Sequence, residues 1–305
     1  MNTPAPPIRF VDLQFQGIPQ VIATAVLEGP DGVALVDPGP GSCLPALEAR
    51  LAELGVRLAD VSTLLLTHIH LDHAGASGSL VARHPHIRVC VHERGARHMI
   101  DPAKLLDSAR RLYGDAMDRL WGPFLPVPGS NVHALTGGER LEAGGRVLDV
   151  AYTPGHASHH VSYFDPASGI AFVGDTAGVR IGAARFIQPP TPPPDVDLHA
   201  WSASAARILA WRPATLFLTH FGPGLAPPEE HFAELLDRLK QNAAVAKRAL
   251  EGGGSDGDQA EAYRRETAAE LRRHVTEAEA VSYELAVPLD HCYLGLARYW
   301  RKQAA

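Results

Sequence analysis

The stretch Thr67-His68-Ile69-His70-Leu71-Asp72-His73 follows the apolar run Val61–Leu66 and brings four candidate metal ligands into six residues. A short apolar run of this kind predicts a buried strand, which gives the ligands a rigid base. The first two histidines are two positions apart and therefore lie on the same side of an extended segment. The aspartate and the third histidine then point to an adjacent position as the chain turns into a helix. Imidazole and carboxylate together suit zinc, iron or manganese, whereas the alternative interpretation is a polar loop with incidental histidines.

The stretch resembles the H-x-H-x-D-H signature of the metallo-β-lactamase-fold hydrolases, a superfamily that includes glyoxalase II, lactonases and RNase Z. The resemblance extends from about Val21 to Pro223, through five motifs in the family's order, and is greatest to the glyoxalase II and lactonase-like branch. It implies an α/β (α+β) fold, an αββα sandwich with its site at one edge between the two sheets. The alternation of predicted strands and helices agrees with that fold.

The four other motifs each follow an apolar run, and their residues are identified through the resemblance. Asp37 comes after Val33–Val36, in the position of a family aspartate that lies beneath the metal site and orients a ligand histidine. Turn chemistry is the alternative explanation for an aspartate beside Gly and Pro. The resemblance makes His156 of Pro-Gly-His and His220 of Thr-His-Phe metal ligands, and it makes Asp175 of Gly-Asp-Thr a carboxylate that bridges two ions.

The number of candidate ligands predicts two metal ions, because seven side chains are too many for one tetrahedral ion. We expect two divalent metals, zinc before iron or manganese, with this division: His68, His70 and His156 on the first, Asp72, His73 and His220 on the second, and Asp175 between them. A hydroxide shared by such a pair forms near neutral pH and is the expected nucleophile. Asp72 is also the expected catalytic residue that takes up a proton as the intermediate collapses.

The segment from about Pro102 to Pro128 interrupts the strand pattern with apolar and aromatic residues at helical spacing. It is either a helical cover over the core or a lid that shapes an apolar substrate pocket. The residues proposed for the pocket are Tyr113, Met117, Trp121 and, from the carboxy-terminal part, His291.

Residues 1–227 are predicted to form the catalytic domain, and 228–305 a helical extension packed near the site. Helices are expected over Leu198–Ala210, Glu229–Leu250, Gln259–His274 and Asp290–Lys302, with a glycine-rich connector at 252–257. The remaining strand predictions are Val21–Leu27, Ile87–Val91, Val132–Leu135, Val147–Ala151, Ile170–Val173 and Thr215–Leu218.

The net charge, the apolar runs and the cysteines of the chain indicate which partners and which compartment to expect. A net charge of −6 over 305 residues argues against nucleic acid as a partner, because a phosphate backbone requires a basic surface. Met1–Phe10 does not resemble a signal peptide, and no run is long enough to span a membrane. Three cysteines without a C-x-x-C pair fit reduced thiols, so we expect a cytoplasmic protein. A small-molecule substrate is expected, and a homodimer is compatible with the sequence.

Four functions fit this pattern. The first is a dinuclear hydrolase of a small ester, thioester or lactone. The second is a mononuclear iron enzyme, since persulfide dioxygenases look like glyoxalase II and use two histidines and an aspartate. A phosphodiesterase and a binding protein with an inactive site are the others. His159 and His160 match no ligand position, and His84, His86, His92 and His98 lack ligand spacing.

Overall fold

Two six-stranded sheets form the centre of the fold, which the computed structural model describes for residues 8–304. Residues 1–7, on which most of the signal-peptide prediction falls, lie outside that range. The first sheet contains, in spatial order, β1 (Arg9–Asp12), β2 (Ala23–Gly29), β3 (Gly32–Val36), β4 (Val61–Leu65), β5 (Arg88–His92) and β6 (Val132–Leu135). The second contains β7 (Arg140–Ala143), β8 (Arg146–Tyr152), β9 (Val161–Asp165), β10 (Ile170–Phe172), β11 (Thr215–Leu218) and β12 (Gly222–Pro223).

Both sheets are mixed, and their parallel pairs place strand ends side by side. Strands β3, β4, β5 and β6 run parallel to one another, and β10 runs parallel to β11. In each sheet, the carboxyl ends of the parallel strands therefore lie at the same edge. The segments that follow β4, β8, β10 and β11 carry the candidate ligands, and the loop after β3 carries Asp37.

Alternating side chains along the strands divide the core into layers. On β3, Ala34 and Val36 face the space between the sheets, whereas Val33 and Leu35 belong to the cluster on the outer side. On β11, Phe217 points inward and its neighbours point toward the outer helices of the second sheet. A strand buried on both faces has to be apolar at every position, which is why these runs lack polar alternation.

Helices cover both outer faces, and the predicted αββα sandwich with a helical carboxy-terminal region is confirmed. The helices are α1 (Leu44–Glu53), α2 (Leu71–Ala74), α3 (Ser77–Arg83), α4 (Glu93–Ile100), α5 (Ala103–Tyr113), α6 (Met117–Trp121), α7 (Leu198–Ala210), α8 (Pro228–Glu251), α9 (Asp256–Leu271), α10 (Glu277–Ala286) and α11 (Leu289–Gln303).

The sequence patterns did not predict the strands β1, β7, β9 and β12 or the helices α4 and α10. Strands β1, β7 and β9 are short and carry charged or polar residues, so their apolar signal is weak and pairing within the sheets defines them. Helix α10 begins at a capping box in which the Thr276 side chain and Glu279 exchange hydrogen bonds with each other's backbone. That Thr-x-x-Glu signal was present in the sequence and predicts a helix start.

The carboxy-terminal helices pack onto the sandwich through buried contacts. The Tyr283 hydroxyl donates to the Phe186 carbonyl at 2.6 Å, and the Thr191 hydroxyl donates to the Cys292 carbonyl at 3.2 Å. Apolar side chains of all four helices belong to the same core cluster as the outer face of the first sheet. These contacts place α10 beside Phe186 and α11 beside Thr191, in the long segment between β10 and α7.

Two sequence predictions concern the chain as a whole. Cys43, Cys90 and Cys292 are buried free thiols, and burial raises the pKa of each to about 11. Between residues 8 and 304, no helix combines the length and the apolar character that crossing a bilayer demands.

Candidate metal centre

Seven side chains from both sheets converge at the edge where the parallel strands end. His68 and His70 follow β4, and α2 carries Asp72 and His73. His156 lies in the loop between β8 and β9, Asp175 follows β10, and His220 follows β11. We call these seven residues the ligand cluster. The backbone joins the two sheets at this edge, where the Val161 amide donates to the Thr67 carbonyl at 2.8 Å.

Two glycines allow the loops to approach this closely. Gly174 has φ +44°, and a Cβ there would lie 2.5 Å from the Thr67 hydroxyl oxygen. Gly155 has φ +141°, and a Cβ there would lie 2.4 Å from the Trp201 Cα. Any larger residue would therefore displace Asp175 or His156 from the cluster.

The first group of the ligand cluster is a triangle of ring nitrogens. His68 Nε2 lies 3.0 Å from His70 Nδ1 and 3.2 Å from His156 Nε2, and His156 Nε2 lies 3.0 Å from His70 Nδ1. Zinc–nitrogen bonds of about 2.0–2.1 Å at a tetrahedral centre separate ligand atoms by only slightly more than this. The triangle therefore has the dimensions of three ligands around one ion.

Hydrogen bonds on the far side of two rings determine their tautomers. His156 Nδ1 lies 2.8 Å from the Pro190 carbonyl, which can only accept, so the proton is on Nδ1. The Thr67 hydroxyl donates to Asp37 at 2.7 Å and therefore accepts from His68 Nδ1 at 3.1 Å. Each ring consequently points an unprotonated Nε2 at the other, an arrangement that is repulsive without a cation between the lone pairs.

The second group contains Asp72, His73 and His220. His73 Nδ1 donates to Asp37 at 2.8 Å, and His220 Nδ1 donates to the Val21 carbonyl at 2.8 Å. In its neutral form, each ring therefore presents a bare Nε2 to the site. Asp72 Oδ2 lies 3.3 Å from His220 Nε2 and 3.7 Å from His73 Nε2.

Asp175 lies between the two groups and directs one oxygen at each. Its Oδ1 is 3.3 Å from His73 Nε2 and 3.7 Å from His220 Nε2, whereas its Oδ2 is 3.5 Å from His156 Nε2. Within residues 8–304, three of these atoms are buried without a hydrogen-bond partner: His73 Nε2, His220 Nε2 and Asp175 Oδ1. Such atoms are rare in native structures because each costs desolvation free energy. Divalent cations would satisfy all three, so the donor set fits two metals.

Electrostatics differ between the two groups. Burial, and then repulsion from neighbouring histidines, holds the pKa of His68 well below 6.5 and lowers the pKa of His70 to about 4. Burial would also lower the pKa of His73, but Asp175, Asp72 and Asp37 outweigh it and raise that pKa well above 6.5. The pKa of His220 is raised for the same reason, by Asp72 and Asp175 against burial. Without metal, the second group attracts protons and the first repels them.

Asp37 lies beneath the site, fully buried, and all of its carboxylate contacts are donors. The Thr67 amide donates to Oδ1 at 2.8 Å, and the hydroxyls of Thr67 and Thr219 donate to Oδ2 at 2.7 and 2.6 Å, beside His73. Sequence reasoning identified Asp37 but missed the two threonines. Their signal was the repeated Thr-His pair at residues 67–68 and 219–220, each directly after a strand.

A cavity of about 760 Å³ opens onto the ligand cluster. Its wall, called the cavity wall below, comes from α4, α5, the proline-rich loop 190–195 and residues 286–292. Apolar side chains such as Leu105, Leu112 and Val287 alternate with charged ones, among them Arg97 and Lys104. His70, Asp72, His156 and Asp175 form its floor.

The four residues proposed for the pocket separate into two pairs. Tyr113 and His291 belong to the cavity wall, and their rings lie 5.0 Å apart. Met117 and Trp121 do not line the cavity, which corrects that part of the prediction. Trp121 is buried in the core and stacks on Phe15 with ring centroids 5.5 Å apart. The chain leaves the α5 axis at Gly114, so helical spacing does not continue from Tyr113 into α6.

The two histidines that were left out of the ligand set have different positions. His160 is fully buried, and its Nδ1 lies 3.0 Å from the Thr153 hydroxyl. His159 lines the cavity beside His68 and His70. Burial, followed by repulsion from nearby histidines, holds the pKa of both well below 6.5.

Comparison with known proteins matches the part of the chain that contains the ligand cluster. The sequence model described as the Metallo-beta-lactamase superfamily matches residues 18–221. A metallo-beta-lactamase fold-containing protein from Sulfurisphaera tokodaii is 26% identical over 243 residues, which cover 78% of this chain and 84% of that protein. A hydroxyacylglutathione hydrolase from a Synechococcus species is 32% identical over 151 residues, half of this chain and 47% of that enzyme. The match to that enzyme thus spans less than half of its length.

Solved structures extend the likeness to the helical part. The crystal structure of a metallo-beta-lactamase family protein from Thermus thermophilus superposes with a TM-score of 0.67 at 25% identity. It covers 93% of this chain, and the match covers 89% of that protein. The likeness therefore includes most of the carboxy-terminal helices as well as the sandwich.

Proposed function

This chain belongs to the metallo-beta-lactamase superfamily, and on that premise we propose that it is a dinuclear metal-dependent hydrolase of a small ester, thioester or lactone. The observation that carries the proposal is the division of the Asp175 carboxylate, with one oxygen toward His73 and His220 and the other toward His156. A carboxylate in this position can bind two ions at once. Zinc is proposed before iron or manganese, the other metals that imidazole and carboxylate ligands suit.

The proposed ligands are the seven residues of the ligand cluster, three for each ion and Asp175 shared. When bound, a metal pair of this kind supplies a water molecule that ionises near neutral pH and polarises the scissile carbonyl group. The chain supplies the rest. Asp37, Val21 and Pro190 accept the Nδ1 protons of His73, His220 and His156, and so keep each Nε2 free to coordinate.

Asp72 is proposed to take up the proton that hydrolysis releases. Its side chain remains 17% exposed, whereas the other members of its group are almost completely buried. It also lines the cavity, where it can pass the proton to solvent. A carboxylate within hydrogen-bond reach of the reacting atoms can act as a general base in this way.

The cavity wall supports a small organic substrate. Its volume of about 760 Å³ falls in the range of small-ligand pockets. The apolar surface of Leu105, Leu112 and Val287 suits an acyl chain and helps to exclude water. The similarity to hydroxyacylglutathione hydrolases, which covers half of this chain, supports a thioester among the candidates. The net charge of −6 does not favour RNA.

The two parts of the chain have different proposed roles. Residues 1–227 would form the catalytic domain, because they contain all seven proposed ligands. Residues 228–305 would form a helical extension that completes the cavity with Val287, Pro288 and His291.

Metal content and substrate panels test the proposal together. The chain, purified without added metal, should contain about two zinc ions by elemental analysis. It should hydrolyse members of a thioester, lactone and aryl ester panel, lose activity with a chelator and regain it with zinc. One iron per chain together with oxygen uptake on a persulfide would replace the proposal with dioxygenase chemistry. Turnover of a phosphodiester reporter alone would identify a phosphodiesterase.

A further inference from the structure

His159 occupies a position from which it can reach a bound substrate. Its ring lines the cavity beside the first ligand group, 5.6 Å from the His70 ring and nearly parallel to the His68 ring at 6.1 Å. The residue is 9% exposed, and it is one of those that line the cavity. The residue is therefore held beside the ligands and remains accessible to a molecule in the cavity.

A backbone donor determines the tautomer of this ring. The Ile69 amide points at His159 Nδ1 at 3.4 Å, and an amide can only donate, so Nδ1 carries the lone pair. In the neutral ring the proton then resides on Nε2. In the part of the chain that the structure describes, nothing else hydrogen-bonds to this ring. Its Nε2–H group is therefore available.

This tautomer is the reverse of the one found in four of the five ligand histidines, since only His70 directs Nδ1 at the cluster. His73, His156 and His220 donate from Nδ1 to an oxygen and keep a bare Nε2 for a metal. His159 uses its lone pair on the backbone and presents a proton instead. It is thus unsuited to bind a cation and suited to bind an oxygen that carries negative charge.

We propose that His159 is a substrate-binding residue that donates a hydrogen bond from Nε2 to a carbonyl or carboxylate oxygen held at the ligand cluster. The proposal rests on the proposed function in one respect, namely that the bound molecule is an acyl compound. A donor that meets developing negative charge stabilises the transition state more than the ground state. The donor would therefore affect kcat as well as KM.

Three substitutions separate this role from a structural one. His159→Gln keeps a donor near the position of Nε2 and loses the acceptor for Ile69. His159→Asn keeps that acceptor and loses the donor. His159→Leu loses both. For the zinc-loaded chain, we expect His159→Gln to keep kcat/KM for 4-nitrophenyl acetate within about 3-fold, and the other two to lose about 10- to 100-fold, mostly in kcat.

Two further measurements do not depend on turnover. Zinc content should be the same in all four proteins. Acetate, titrated into the cobalt-substituted chain and followed by its absorption spectrum, should bind wild type and His159→Gln alike and the other two about 10-fold more weakly. Full activity and acetate binding in His159→Asn, with losses in His159→Gln, would overturn the proposal in favour of a structural role at Ile69. Loss of zinc from His159→Leu would also overturn it.

The two proposals can fail separately. If wild type hydrolyses nothing in the panel but the acetate affinities divide as expected, the hydrolase proposal fails and the donor role of His159 is supported. If wild type is an active hydrolase and all four proteins bind acetate equally, the donor role fails alone.

Discussion

The ligand cluster and the cavity wall meet at the same edge of the sandwich, but the chain builds them differently. The cluster lies on short segments that follow strands and on α2, five of its seven members are buried, and hydrogen bonds support several of its rings from behind. The cavity wall comes from helices α4, α5 and α11 and from loop 190–195, and many of its side chains are exposed.

The two regions therefore have different tasks: the ligand cluster would hold metal, and the cavity wall would shape the space for the substrate. A rigid base beneath each ligand keeps it within the narrow range of geometry that coordination requires. The wall needs only shape and a few polar groups, so it tolerates change at lower cost. Changes in the cluster should therefore remove metal and activity, whereas changes in the wall should shift substrate preference or stability.

The largest effect is expected for Asp175→Ala. Both groups of the cluster lose a shared ligand, so metal content should fall well below that of wild type, and kcat/KM by about 1,000-fold or more. Elemental analysis and kinetics on the best ester of the panel provide the measurements. Asp195→Ala is the matched control, because Asp195 is a cavity-wall acid that hydrogen-bonds Ser158 and should leave the metal in place. A full metal complement in Asp175→Ala would disprove the bridging role.

When the pH is lowered, the two groups of the ligand cluster should lose their metal ions at different pH values. A raised pKa means that His73 and His220 already bind protons at a higher pH, so protons compete with metal there as the pH falls. The His68, His70 and His156 group stays unprotonated longer, since the pKa of each is lowered and that of His70 is about 4. Dialysis between pH 7 and pH 5 should remove about one metal per chain before the other. Simultaneous loss of both metals would contradict the division into two groups.

Asp37→Asn should have an intermediate effect. Three donors converge on Asp37 Oδ2, and an amide nitrogen there would oppose them and release His73 from its tautomer. Loss of such outer support typically lowers metal affinity about 10- to 100-fold. A zinc titration against a chromophoric chelator measures the change. Thr219→Val, which removes one donor and keeps the carboxylate, should cost much less; equal losses in both variants would show that packing rather than tautomer control matters.

The smallest effects on activity are expected in the paired helices α5 and α6. Trp121→Ala should lower the free energy of unfolding by about 3–5 kcal/mol, because the ring is buried against Phe15. Its kcat/KM in the folded protein should stay within about 3-fold of wild type. Tyr113→Phe should leave thermal stability nearly unchanged and alter kcat/KM by about 2- to 10-fold between small and bulky acyl groups. A change of substrate preference in Trp121→Ala but not in Tyr113→Phe would contradict this prediction and would show that Trp121 contacts the substrate.

Much of the ligand cluster could be predicted from the sequence, because its members follow strands that are apolar enough to recognise. The predicted bounds of Val132–Leu135, Leu198–Ala210 and Thr215–Leu218 agree with the structure. Strands β1, β7 and β9 were not predicted, since they depend on neighbouring strands for their pairing. Trp121 was misplaced because periodicity cannot show where a helix bends away from the site.

The superfamily could be identified from the sequence by itself, because short motifs that follow apolar runs carry the resemblance, and that resemblance implied the sandwich and the proposed metal ligands. Only the tertiary structure decided which nitrogen of each histidine faces the site, since Asp37, Val21, Pro190 and Ile69 reach their partners from distant parts of the chain or through the folded loop. It also decided that Tyr113 and His159 line the cavity while Trp121 does not. The physical reason is that the direction and the tautomer of a side chain depend on contacts made across the fold, which sequence spacing does not record.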